Sequence, residues 1–140
     1  MKVDGIECGI VLDHIRAGRS NEIYRLLRLD KLDCCVAMIQ NVRSTKLGKK
    51  DVIKIASEFD LDIDVLGYVD PNITVSFIKD GVVYKKFNLE MPKQLTDVIF
   101  CRNPRCITSV EDGISHVFKL TDEQREVYRC VYCETAHRVN

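Results

Sequence analysis

Four cysteines in two close pairs constrain this chain more than any other feature of its sequence. Cys101 and Cys106 are separated by four residues, Cys130 and Cys133 by two, and the two pairs by 23. Two short turns, each offering two thiolates, suit a tetrahedral ion with Zn–S bonds of about 2.3 Å. Asn103-Pro104 favours a tight turn inside the first loop, and Val131-Tyr132 occupies the second. Four thiolates fill the coordination sphere and leave no position for water or substrate, so one structural Zn²⁺ per chain is expected. A segment of about forty residues buries too little apolar surface to be stable alone, and a metal supplies the missing stabilisation.

Other uses of these thiols fit less well. A redox disulfide at Cys130-x-x-Cys133 needs an exposed sulfur of lowered pKa and leaves the first pair unexplained. Iron fits four thiolates, but nothing in the sequence suggests electron transfer. His116 and His137 are spare ligands that a complete four-cysteine set relegates to surface or packing roles. Cys8, Cys34 and Cys35 are scattered; Cys34-Cys35 opens the apolar run to Ile39, where a thiol packs as a small hydrophobe.

Charge narrows the function classes. Lys plus Arg and Asp plus Glu are 21 each, so no global field draws the chain to nucleic acid or anionic lipid. From Asp97 onward six basic residues face seven acidic ones, and four thiolates with a divalent cation add a further net negative charge. A phosphate-backbone reader needs the opposite balance, so a protein-docking surface is expected and a zinc-ribbon adaptor or nucleic-acid-binding module is the alternative. No apolar run is long enough to span a bilayer, and Met1-Lys2-Val3-Asp4-Gly5 lacks the apolar core of a signal peptide. A cytoplasmic protein without membrane association is the expectation.

Before the cysteines, periodicity alternates between strand and helix. Ile10 to Ile15 reads as a strand ended at Ala17-Gly18, and Ser20 as the cap of a helix with Ile23, Leu26 and Leu27 on one face. Cys34 to Val42 returns to strand character. After Gly48 a second helix is predicted, with Val52, Ile55, Ala56 and Phe59 at i, i+3, i+4 and i+7. Asn72 to Ile78 and Val82 to Phe87 read as strands joined by a hairpin at Asp80-Gly81. Two helices cover one face of a four- or five-stranded sheet. The predicted fold is therefore α+β: a two-layer, ferredoxin-like sandwich with an antiparallel sheet over 1–91, then a small four-cysteine zinc β domain over 92–140. Met91-Pro92-Lys93 reads as the hinge.

Catalytic signals are weak. Asp13 and His14 are adjacent in a strand and project to opposite faces, and no nucleophile motif or glycine-rich phosphate loop is present. The chain reads as a non-enzyme. A polyanion site is conceivable from His14, Lys86, and Lys50 with Lys54, which are i, i+4 neighbours on the predicted second helix, and Asp13 adds an acceptor. Solvated lysines on a helix and an edge strand are the plainer reading of the same residues.

Five segments together resemble one family: Gly9 to Ile15, Leu47 to Ile55, Pro71 to Val75, Cys101 to Ile107 and Tyr128 to Glu134. In order and coverage of nearly the whole chain they are similar to the regulatory chain of aspartate carbamoyltransferase. The resemblance implies a non-catalytic allosteric subunit of pyrimidine biosynthesis. Its first domain would bind the nucleoside triphosphates CTP, UTP and ATP in competition, and its zinc domain would dock on the catalytic chain. It further implies a homodimer of regulatory chains, three such dimers joining two catalytic trimers in a dodecamer. By motif position Asp13 and Lys54 would contact ribose or base, and His14 and Lys86 the phosphates, with Lys50 nearby. Val3, Ile6, Val11, Ile78 and Val83 would form apolar walls. Ser76, Gly81 and Glu7 depart from the family's asparagine, tyrosine and basic residue, which bears on effector identity and affinity.

Overall fold

The chain divides into two compact units, Met1–Glu90 and Met91–Asn140, and the computed structural model describes residues 7–138 of them. Among these residues no helix is long and apolar enough to cross a membrane.

The first unit runs β1 (Gly9–Arg16), α1 (Ser20–Leu26), a 3-10 turn (Leu29–Lys31), β2 (Val36–Ser44), β3 (Gly48–Ile55), α2 (Ile63–Val69), β4 (Thr74–Lys79) and β5 (Val82–Asn88). The strands lie in the order β2-β3-β1-β4-β5, each neighbouring pair antiparallel. This is the expected α+β sandwich, ferredoxin-like with one added edge strand. Alternation sets the faces. Ile10, Leu12, Ile53, Ile55, Ile73 and Val75 are fully buried together with Ile23 of α1 and Leu66 of α2, forming the layer between sheet and helices.

The helix predicted after Gly48 is instead β3, paired with β1 on one side and β2 on the other. Its helical spacing arises because a central strand is apolar on both faces: Val52 is buried on one, Ile53 and Ile55 on the other. The β-branched run Val52-Ile53-x-Ile55 suits that position. The true second helix begins at Asp62, whose carboxylate accepts from the Val65 amide at 3.2 Å. Val65, Leu66, Tyr68 and Val69 are its buried side chains. Ser20 does not cap α1 either; Arg19 holds the N-cap position, and the Ser20 hydroxyl is drawn to Asp51 at 2.6 Å.

Two bulges flank β3. In β1, Leu12 pairs with Ile53 and Ile15 with Asp51, so Asp13 and His14 together oppose Val52. Leu12 and Ile15 both enter the core, and the two residues between them, His14 at φ 59°, face the other side of the sheet, which neither helix covers and which is the uncovered face among the described residues. Strict alternation would set Asp13 and His14 on opposite faces; the extra residue is why they are not. In β2, Gln40 and Asn41 similarly oppose Asp51. The fully buried Asp51 carboxylate accepts from the amides of Gly18, Ser20 and Asn41 as well as the Ser20 hydroxyl. Burial alone would raise its pKa, but these donors outweigh that and hold it below the usual carboxylate range. The Asp80-Gly81 hairpin forms as expected, both residues having positive φ (53° and 74°) between the paired Lys79 and Val82.

The second unit contains β6 (Gln94–Thr96), the single turn α3 (Ile107–Val110), β7 (Val117–Asp122), β8 (Val127–Cys130) and β9 (Ala136–Arg138), its four strands antiparallel in sequence order. Leu95, Ile99, Phe118, Val127 and Tyr128 form its apolar core, continued by Cys101, Cys106 and Cys130. The Tyr128 hydroxyl donates to the Pro92 carbonyl at 2.8 Å, tying the start of the unit to β8.

Candidate functional site

Polar groups gather on the uncovered face of the first sheet. Lys54, Val11, Ser76 and Lys86 are successive register partners on β3, β1, β4 and β5. They form one line across four strands, a span of about 14 Å at about 4.8 Å per strand. Lysines stand at both ends of it. Ile78 and Val83 pair with each other one step along the strands, adding apolar surface. Such a line suits an elongated ligand lying across the strands, with anionic groups near a lysine and an apolar body over Val11, Ile78 and Val83.

The bulge adds Asp13 and His14 to this face. Lys50 Nζ lies 2.9 Å from Asp13 Oδ1, and the same oxygen accepts from the His14 amide at 2.6 Å. Burial opposes ionisation of Asp13, but the Lys50 hydrogen bond and the His14 amide outweigh it and keep the carboxyl ionised below its ordinary pKa. His14 Nδ1 is 3.1 Å from the hydroxyl of Thr74, the register partner of Asp13. Thr74 was not singled out from the sequence; its alternation with the buried Ile73 and Val75 was the available signal. Lys50 and Lys54 are not the helical neighbours anticipated. On a strand they share a face but stand about 13 Å apart, so Lys50 serves Asp13 and Lys54 belongs to the cross-sheet line. Val3 and Ile6 lie outside the described residues.

In the second unit Cys101, Cys106, Cys130 and Cys133 bring their sulfurs within 4.8 Å of one another. Cys101 Sγ is 3.5 Å from Cys133 Sγ and Cys106 Sγ 3.7 Å from Cys130 Sγ, each short pair joining the two turns. A disulfide needs about 2.05 Å. A tetrahedron with metal–sulfur bonds of about 2.3 Å has edges of about 3.8 Å, so the donors fit a metal ion. Local bonds shape each turn. The Cys106 amide donates to the Asn103 carbonyl and the Arg105 amide to the Asn103 side chain, both at 3.0 Å, while the Glu134 amide donates to the Cys130 carbonyl at 2.9 Å. His116 Nδ1 accepts from the Cys101 amide at 3.0 Å, and the His137 ring packs on Phe118.

The sulfurs do not share one environment. Without a metal, burial pushes the Cys101 thiol up to about 12 and raises Cys130. The Thr108 hydroxyl lowers Cys106, and the Thr135 hydroxyl brings Cys133 to about 6. Neither threonine was flagged from the sequence, although each follows a cysteine by two residues. Close in sequence to the four cysteines, the large apolar side chains Phe100, Ile107, Val110, Val131 and Tyr132 are exposed, Val110 at 70%, interleaved with exposed Arg102, Arg105, Arg129 and Glu134.

Comparison with known proteins agrees with both halves. Residues 1–90 match the family described as aspartate carbamoyltransferase regulatory chain, allosteric domain, and residues 93–140 the metal binding domain of the same chain. A protein of Clostridium tetani (strain Massachusetts / E88) named aspartate carbamoyltransferase regulatory chain is 49% identical over 140 residues, covering 99% of this chain and 97% of that one. Proteins of the same name from Clostridium botulinum (strain Hall) and Bifidobacterium longum (strain NCC 2705) are 46% and 40% identical, covering 96% of this chain and 92% and 96% of theirs. With both domains matched in order and the four sulfurs gathered in the second, the chain belongs to the aspartate carbamoyltransferase regulatory chain family.

Proposed function

We propose that the chain is a non-catalytic allosteric subunit that binds nucleoside triphosphates on the uncovered face of its first sheet and docks on aspartate carbamoyltransferase catalytic chains through its second unit. The cross-sheet line of Lys54, Val11, Ser76 and Lys86 carries the reading. A base and ribose would lie near Asp13, Lys54 and Val11, and the phosphates near Lys86 and His14, with Ile78 and Val83 as walls. CTP, UTP and ATP would compete there. Ser76, on the line between Val11 and Lys86, and Gly81, in the hairpin beyond the Ile78–Val83 pair, contribute little side chain to this face, which bears on effector identity and affinity.

In the second unit the four thiolates would hold one Zn²⁺, whose role is to fix both turns and the apolar side chains beside them. Exposed Phe100, Ile107, Val110, Val131 and Tyr132 support a protein partner rather than a polyanion. Regulatory dimers bridging two catalytic trimers complete the assembly. An effector shifts it only by its differential affinity for two global states, typically about 1–3 kcal/mol.

Calorimetry of the full chain with CTP and ATP tests the site. Binding is expected to weaken at least about tenfold in Lys86→Ala, the loss of one charge-assisted phosphate contact. No binding at millimolar nucleotide, or none of this weakening, overturns the site. Sedimentation of the zinc-loaded chain with catalytic trimers tests the docking, and absence of a complex overturns it.

A further inference from the structure

The second cysteine of each pair is followed two residues later by a threonine: Cys106-Ile107-Thr108 and Cys133-Glu134-Thr135. In both, the hydroxyl reaches the sulfur. Thr108 Oγ1 lies 3.2 Å from Cys106 Sγ, and Thr135 Oγ1 lies 3.1 Å from Cys133 Sγ. The first cysteines have Asn103 and Tyr132 at the same offset, and among the described residues no hydroxyl is paired with the sulfur of Cys101 or Cys130. Because the short sulfur contacts join Cys101 to Cys133 and Cys106 to Cys130, each contains one hydroxyl-bonded sulfur and one without.

A metal-bound cysteine is a thiolate with no S–H, so at both positions the hydroxyl is the donor. Four thiolates around a divalent cation carry two net negative charges, and three of the four cysteines are buried. Dipoles aimed at the sulfurs are then the available means of stabilising that charge, and outer-shell hydrogen bonds of this kind tune metal retention. We infer that Thr108 and Thr135 are positioning residues of the metal centre, their hydroxyls donating to the Cys106 and Cys133 thiolates and prolonging retention of the ion. The inference rests on the four-thiolate metal site proposed above. The two are unequal. Thr108 is 9% exposed, so no water replaces its hydroxyl, whereas Thr135 is exposed and water can.

The test uses the full chain loaded with Co²⁺ or Zn²⁺, with Thr108→Val, Thr108→Ser and Thr135→Val. Valine keeps the branched shape and removes the hydroxyl; serine keeps the hydroxyl. An unbonded thiolate is a better electron donor, so the sulfur-to-cobalt charge-transfer band of Thr108→Val is expected at lower energy. Its zinc should pass to a chromogenic chelator about tenfold faster. Thr135→Val should show about a twofold change, and Thr108→Ser should behave as the unsubstituted chain. A Thr108→Val chain that takes up no metal while Thr108→Ser does also supports the inference. An unmoved band with unchanged release in both valine variants, or Thr108→Ser behaving as Thr108→Val, overturns it. If the unsubstituted chain shows no charge-transfer band, the metal site itself fails, which is a distinguishable result.

Discussion

Replacing Asp51 by asparagine should loosen the first unit more than any surface change, because one buried carboxylate ties three segments together. Its Oδ2 accepts from the Gly18 amide at 3.1 Å, the Ser20 amide at 3.3 Å and the Ser20 hydroxyl at 2.6 Å, and its Oδ1 from the Asn41 amide at 3.1 Å. All four partners are donors, and a carboxamide has only one acceptor oxygen. In its best orientation the substituted side chain would keep the three bonds made by Oδ2 and turn its NH₂ toward the Asn41 amide. Losing one charge-assisted bond costs about 2 kcal/mol, and converting three others to neutral bonds costs about 1 kcal/mol each. Relief from burying a charge without a cation returns about 2 kcal/mol. The net expectation is about 3 kcal/mol.

Hydrogen exchange of peptides from β1 and β3, read by mass spectrometry, isolates this unit from the second. A loss of that size raises exchange through global opening about a hundredfold. The pH dependence has a definite sign. The native pKa of Asp51 is depressed, so its stabilisation is fully present above the unfolded value of about 3.9 and is lost as pH falls through the native one. Asp51→Asn should therefore lie closest to the unsubstituted chain in acid and farthest from it at neutral pH. Exchange within threefold of the unsubstituted chain at neutral pH would refute the clamp.

Two further expectations concern the second unit. Chelation should abolish the near-ultraviolet circular dichroism of Tyr128 and detach any bound catalytic chains, since a five-residue apolar core does not hold the fold without the ion; retention of the complex after metal loss would separate docking from metal. Val110→Ser, at a side chain 70% exposed, should change stability by less than about 0.5 kcal/mol yet weaken catalytic-chain binding by about 1 kcal/mol, measurable by sedimentation.

What could be read from the sequence depended on whether the signal was local. Cysteine spacing, the Asp80-Gly81 turn and the alternation of β4 are local, and the structure reproduces them. The helix expected after Gly48 failed because a strand buried on both faces loses its period of two, and nothing nearby announces neighbours on either side. The bulge at Asp13-His14 was equally hidden, since it exists only as a mismatch in count between β1 and β3. Lys50 and Lys54 were singled out on helical grounds that the strand removes, and Lys54 reaches the cross-sheet line through register instead. The two threonines beside the sulfurs carried a readable repeat, cysteine followed at two residues by threonine. It lies outside the ligand set, where the spacing rules for metal sites stop.

The line across β3, β1, β4 and β5 belongs to no single segment, and no fragment of the chain retains it. A ligand seated there is bonded to the assembled sheet alone, so occupancy protects the whole unit against unfolding and proteolysis, by about 2.7 kcal/mol at a hundredfold excess over its dissociation constant. The converse is a warning for mutational scans. Substitutions at Ile10 or Ile73, buried on the opposite face, will depress apparent affinity by depleting the folded population, and only a stability measurement on the same variants will tell them from true contacts.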